Sequence, residues 1–178
     1  VILVPPDPAW PNRFARLCDE IAGACHGVVI AVEHIGSTSI PGLGAKPIID
    51  VMPGLRAFDH GERTVAPLEA LGYEYRGEFG IPGRHYFRKD DPETGERITN
   101  VHMYEVGHDE WLAHLALRDY LRLHDDWRER YWKLKQELAR QYPEDVEAYA
   151  EAKTAFVKEV VALRLAELGS DYEYRRAR

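Results

Sequence analysis

The sequence predicts an α+β domain: a mixed β-sheet followed by a run of helices. Three observations predict it. Short β-branched and apolar segments, separated by Gly, Pro and Asp, fill the first hundred or so residues. Apolar residues recur at helical spacing three times after Asp109. One amphipathic helix precedes the first strand, so most of the helical part is segregated behind the strands, as α+β domains require.

Taken in order, Pro5, Pro6, Pro8 and Pro11 make the entry extended, and Asp7 and Asn12 offer cap side chains. Phe14, Leu17, Cys18, Ile21 and Ala22 then predict a helix from Pro11 to Ala24. Val28 to Ile35 reads as a central strand, and Pro41-Gly42-Leu43-Gly44-Ala45 as a single turn. A strand from Ile48 to Met52 is expected to end at Pro53-Gly54. Glu62 to Leu71 reads as a helix closed by Gly72, and Tyr73 to Glu78 as a third strand. His85 to Lys89 and Ile98 to Tyr104 flank a turn-rich segment and predict a β-hairpin. Three helical faces follow, on Trp111 to Leu121, Trp127 to Tyr142 and Tyr149 to Leu168, the last stopped by Gly169. The division expected is a core over 1–107, a helical part packed on it over 108–170, and a charged tail over 171–178 that frays.

The chain has 178 residues and a formal net charge of −7 with interspersed signs, which argues against general nucleic-acid binding because that needs a basic face. Cys18 and Cys25 show no CxxC spacing and read as reduced, partly buried thiols of a cytoplasmic protein. No apolar run reaches the ~20 residues of a membrane helix, and no signal peptide is read. Val1 is not a methionine, so native residues are expected ahead of it.

The segment Val28 to Val51 carries the functional signal. An apolar strand enters a turn of Gly36, Ser37, Thr38 and Ser39, whose backbone and hydroxyls suit phosphate oxygens. The next strand carries a solitary acid, Asp50, and a buried carboxylate needs a cation, donors or a metal. Lys46 is a cation close by in sequence. On the last strand Asn100 and His102 share a face and are expected to point together at Asp50. His34 and His85, also at strand ends, are further pocket candidates. Arg84 opens the hairpin, and Arg118, Lys135 and Lys153 stand beside the apolar seams of the helices, where they either grip phosphates or snorkel. Trp10, Trp111, Trp127 and Trp132 are read as packing residues.

The run GSTSIPGLGAKPIID (Gly36 to Asp50) resembles the GrpB-like family of the nucleotidyltransferase superfamily. So do GIPGRHYFRKD (Gly80 to Asp90), NVHMYE (Asn100 to Glu105), HLALRDYLRLH (His114 to His124) and YAEAKTAFV (Tyr149 to Val157), and together they cover nearly the whole chain. The resemblance implies a DNA polymerase β-like fold, a small mixed sheet with helices on one face and a helical C-terminal part. It makes Gly36 and Ser37 the phosphate turn and Asp50 the first metal carboxylate. Some relatives are fused to dephospho-coenzyme A kinases, but this chain shows no P-loop. It also departs from the active pattern, since the second acid would fall on Met52, and Asn100 and His102 replace a last-strand Asp.

Three functional readings follow in order. The first is an enzyme that binds a nucleoside triphosphate with Mg2+ or Mn2+ at Ser37, Asp50, Asn100 and His102. Thr38, Lys46, Arg84, Arg118, Lys135 and Lys153 would help hold the phosphates, and a nucleotidyl or phosphoryl group would pass to a small-molecule acceptor. The second is an inactive nucleotide- or anion-binding module that senses a ligand or stabilises a partner. The third is a histidine metal site using His34, His85, His102 and Asp50.

Overall fold

The computed structural model describes residues 1–169, so the tail read at 171–178 lies outside the described residues. The first helix, α1 (Trp10–Ala24), starts one residue before Pro11, whose missing N–H falls where the helix needs no donor. Neither expected side chain caps it. The Asp7 carboxylate instead accepts from the Ala9 N–H at 2.8 Å and pairs with Arg13 at 3.5 Å.

Five strands follow: β1 (Val29–Ile35), β2 (Ile49–Leu55), β3 (Glu74–Tyr75), β4 (Arg84–Asp90) and β5 (Arg97–Glu105). A short helix, α2 (Val65–Ala70), lies between β2 and β3. The sheet order is β1-β2-β5-β4-β3, with β2 and β5 parallel and the other neighbours antiparallel. The strand from Val29 is therefore an edge strand and not a central one. Its apolarity reports cover on both faces: Val29 and Val32 pack toward α1, and Ala31 packs on the opposite side with Ile35 and Trp111.

Two further boundaries differ from expectation. β2 runs through Pro53-Gly54 to Leu55, with Pro53 paired to Val32. Gly54 is needed for close approach, since a Cβ there would lie 2.5 Å from Val106 Cγ2 and 2.9 Å from the Trp111 ring. β3 is only two residues long, although pairing continues from Arg76 N–H to the Tyr86 carbonyl and from Tyr86 N–H to the Gly77 carbonyl. The β4–β5 hairpin forms as the alternation predicts.

The helical part comprises α3 (Asp109–Leu123), α4 (Asp125–Gln141), α5 (Val146–Ala152) and α6 (Thr154–Leu168). The third predicted helix is thus broken at Lys153, which closes α5 and opens α6. On one side of the sheet Trp10, Ile21, Leu68, Phe87 and Val101 share a core with α1 and α2. On the other, Met52 packs with Ile35, Tyr104 and Trp111 of α3. A third cluster joins Ile40 and Leu43 to Tyr120, Leu121, Tyr131 and Val160, which ties the helices to the chain between β1 and β2. Cys18 and Cys25 are free thiols, and burial pushes Cys25 up to about 11. Among the described residues no helix is long and apolar enough to cross a membrane.

Candidate functional site

The turn after β1 is built for rigidity. Gly36 has φ +71°, and a Cβ on it would sit 2.5 Å from Asp50 Oδ2, so only glycine lets the turn lie against that carboxylate. Ser37–Ser39 form one 3-10 turn, in which the Ser39 hydroxyl donates to the Gly36 carbonyl at 2.5 Å. Arg122 donates twice to the Ser39 carbonyl, at 2.9 and 2.7 Å. The His34 ring meets Thr38 Oγ1 at 2.9 Å and stacks on Phe14.

Asp50 faces this turn from β2. Parallel pairing puts it beside Asn100, and its Oδ1 accepts from Asn100 Nδ2 and His102 Nε2, each at 3.1 Å. The convergence expected from strand alternation is therefore present. Arg84 Nη1 approaches His102 Nδ1 at 3.4 Å, and a guanidinium can only donate. Nδ1 is then the acceptor and the ring proton lies on Nε2, toward Asp50. Burial pushes the Asp50 carboxyl up, but the hydrogen bonds from His102 and Asn100 outweigh it and leave the group below its ordinary value.

Three lysines share a cavity with this carboxylate. Lys135 of α4, 2% exposed, donates to Ser37 Oγ at 3.0 Å and to the Gly44 carbonyl. Burial, with repulsion from Lys153 and Lys46, pulls it down to about 7. Lys153, at the α5–α6 break, stands 4.3 Å from the Tyr149 ring centre and is lowered to about 8 by burial and by Lys46. Lys46 lies over the same ring at 5.6 Å and is also lowered, chiefly by burial.

Gly36, Ser37, Thr38, Lys46, Asp50, Arg84, Asn100, His102, Arg118, Lys135 and Lys153 all line one cavity of about 560 Å³. Besides Lys135, both arginines have donors engaged. Arg118 binds Glu33 at 2.6 Å, Asp119 at 2.8 Å and the His34 carbonyl at 3.2 Å. Arg84 binds the carbonyls of Glu78 and Phe79 at 3.2 and 2.8 Å.

His34 and His85 do not line this cavity, which corrects their reading as pocket candidates. His34 pairs with Val51 and His85 with Met103, so each faces away from Asp50 and His102. His85 is held instead by Tyr75 Oη at 2.7 Å and the Phe58 carbonyl at 2.8 Å. The four-residue histidine metal site is accordingly not assembled. Among the described residues no group of three or more His, Cys, Asp and Glu is placed to hold a metal.

Sequence reasoning missed four titratable wall residues: His114, Tyr131, Tyr149 and Glu110. Burial and then His102 push His114 down to about 3, and the two rings lie 5.6 Å apart. A signal existed for three of them. His114 precedes Arg118 by four residues, Tyr131 precedes Lys135 by four, and Tyr149 precedes Lys153 by four, each pair on one helical face.

Comparison with known proteins places this architecture. A solved structure of the conserved protein GrpB from Enterococcus faecalis superposes with a TM-score of 0.86 at 36% identity, covering 93% of this chain and 98% of that one. The Cid1 poly(U) polymerase superposes at 0.54 with 12% identity, over 82% of this chain and 48% of that one, a likeness of fold alone. UPF0157 protein PA4798 of Pseudomonas aeruginosa is 39% identical over 165 residues, 92% of this chain and 67% of that protein. UPF0157 protein YqkA of Bacillus subtilis is 42% identical over 149 residues, and this chain spans only 43% of its length. With the GrpB protein family model matching residues 1–163, the chain belongs to the GrpB family, on a nucleotidyltransferase-like α+β fold.

Proposed function

We propose that this chain binds the polyphosphate of a nucleoside triphosphate, with the phosphates between the Ser37–Ser39 turn and Lys46, Lys135 and Lys153. One observation carries the reading: three lysines crowd into one cavity whose carboxylates are Glu110 and Asp50, the latter already held by two donors, and the cost is depressed basicity. A polyanion removes that cost, because it restores the charged form of each amine.

The residues present do not fit a resident Mg2+ or Mn2+. Asp50, Asn100 and His102 bond to one another, the His102 Nε2 proton points at the carboxylate, and three lysines repel a divalent cation. The ion-free polyphosphate is therefore the primary ligand of this reading.

The test is calorimetric titration and thermal melting with tripolyphosphate and each nucleoside triphosphate, with and without Mg2+ or Mn2+. At one hundred times Kd a ligand adds about 2.7 kcal/mol, which for a chain of this size raises Tm by roughly 5–10 °C. The expected result is binding without metal. No shift with tripolyphosphate or any nucleotide at saturating concentration removes the reading.

One observation favours a second reading, transfer of a nucleotidyl or phosphoryl group to a small-molecule acceptor. Asp50 Oδ2 takes no hydrogen bond among the described residues, whereas Oδ1 is held by two donors. That oxygen lies against Gly36 and keeps the lone pairs with which Asp50 would accept the proton of an acceptor hydroxyl bound at the turn. Product formed from a nucleoside triphosphate that brings its own Mg2+ or Mn2+, and lost in Asp50→Asn, would support transfer.

A further inference from the structure

We propose that the cationic cavity is the head of a longer site whose apolar limb, between α3 and α6, takes the extended hydrophobic body of a phosphorylated amphiphile. This rests on the polyphosphate reading of the cavity and names a second class of ligand, one whose phosphate takes the same cationic head while its body takes the limb. The observation is continuity. A second hollow of about 600 Å³ opens beside the first. The two share Ile81, Glu110, Tyr131, Ala150, Lys153 and Thr154 as a common neck.

Beyond the neck the lining changes character. Ala113 of α3 faces Val157, Val161, Ala162 and Leu165 of α6 across the hollow, and among the described residues Lys158 is the one charged side chain there. Val157, Val161 and Leu165 recur every four residues, so they form one row along the helix. At about 1.5 Å per residue the wall runs roughly 18 Å from Lys153 to Leu165. α6 buries Val160 in the helical core on another side, which leaves this row half-buried. The alanines keep the hollow wide.

The chemistry of the occupant follows from the lining. A nucleobase presents hydrogen-bonding edges, and the limb offers almost nothing to meet them. An alkyl or polyisoprenoid-like body needs none, and gains from the apolar area covered. Lys46, Lys135 and Lys153 cluster at one end and Lys158 alone stands along the limb, so a molecule with phosphate at one end and an apolar chain at the other matches both halves.

The test is titration of the full chain with inorganic phosphate and with ethyl, butyl, hexyl and octyl phosphate, all below micelle-forming concentrations. Affinity is expected to climb two- to four-fold per methylene, where about four-fold corresponds to the ~0.8 kcal/mol of a fully buried methylene. Val161→Asp and Ala162→Phe should flatten the series while leaving tripolyphosphate affinity unchanged, which also reports that each variant is folded. A flat series in the unmodified protein, with tripolyphosphate bound, overturns this inference alone. Failure to bind tripolyphosphate overturns the reading of the cavity and this inference with it. Self-association abolished by Val161→Asp assigns the row to a second copy and likewise overturns it.

Discussion

Replacing Lys135 by Met is expected to stabilise the protein and to weaken its grip on polyphosphate. Lys135 is 2% exposed and its amine is pulled down to about 7 by burial and by Lys153 and Lys46. Against an ordinary value of 10.5, and at about 1.4 kcal/mol per pH unit, folding at pH 7 is penalised by on the order of 4 kcal/mol. Methionine removes that cost and preserves most of the volume, but it strands the Gly44 carbonyl and Ser37 hydroxyl, for about 1–2 kcal/mol. The net gain is roughly 2 kcal/mol, or about 4–8 °C in Tm. The sign with pH is fixed. Between pH 7 and 10.5 the unfolded chain holds a proton on Lys135 that the folded chain has lost, so the native protein gains stability as pH rises. The advantage of Lys135→Met is therefore full below pH 7 and fades toward pH 10.5. Tripolyphosphate affinity should fall about 10- to 100-fold, the value of a charge-assisted hydrogen bond. Urea melts across that pH range, paired with calorimetric titration, check both halves. A variant that is less stable at pH 7, or whose advantage does not fade with pH, refutes the idea of a strained, ligand-waiting amine and makes Lys135 a structural strut.

Polyphosphate binding at pH 8 should take up protons, because Lys135 and Lys153 stand near 7 and 8; titrations in buffers of different ionisation enthalpy measure this, and no uptake would count against lysine contact. His34, lowered to about 4 by burial, should make the native protein lose stability as pH falls from about 6.5 to 4, by on the order of 3 kcal/mol, and acid melts of His34→Gln should show a shallower loss. Gly36→Ala should cost about 1–3 kcal/mol and displace Asp50, seen as lost stability together with altered nucleotide affinity; full stability with unchanged binding would contradict the close packing. His85→Phe should cost about 1–3 kcal/mol by stranding Tyr75 and the Phe58 carbonyl, while leaving phosphate affinity alone.

Much of this molecule was legible because its signals were local. Period-two alternation on β5 placed Asn100 and His102 on one face, and the parallel register delivered them to Asp50. The same reasoning failed for His34 and His85 because facing depends on register between strands, which pairs them with Val51 and Met103. β1 looked central because apolarity reports coverage, and helices cover an edge as readily as strands do. Pro53-Gly54 looked like a stop, yet the glycine serves the close approach of Trp111 and Val106 from distant parts of the chain. The break at Lys153 left no mark, since the apolar rhythm from Tyr149 to Leu168 continues across it. Lysine basicity was invisible too, being a property of three side chains brought together from three elements.

The position of Met52 limits what this fold can become. Its side chain is fully enclosed with Ile35, Tyr104 and Trp111. A carboxylate introduced there would enter this apolar cluster directly across from Glu33 of β1, a like charge that Arg118 already pairs, at a cost of several kcal/mol. Installing a paired-acid centre at this position thus requires α3 to withdraw as well as a codon to change, so a protein built this way has little mutational access to two-metal chemistry.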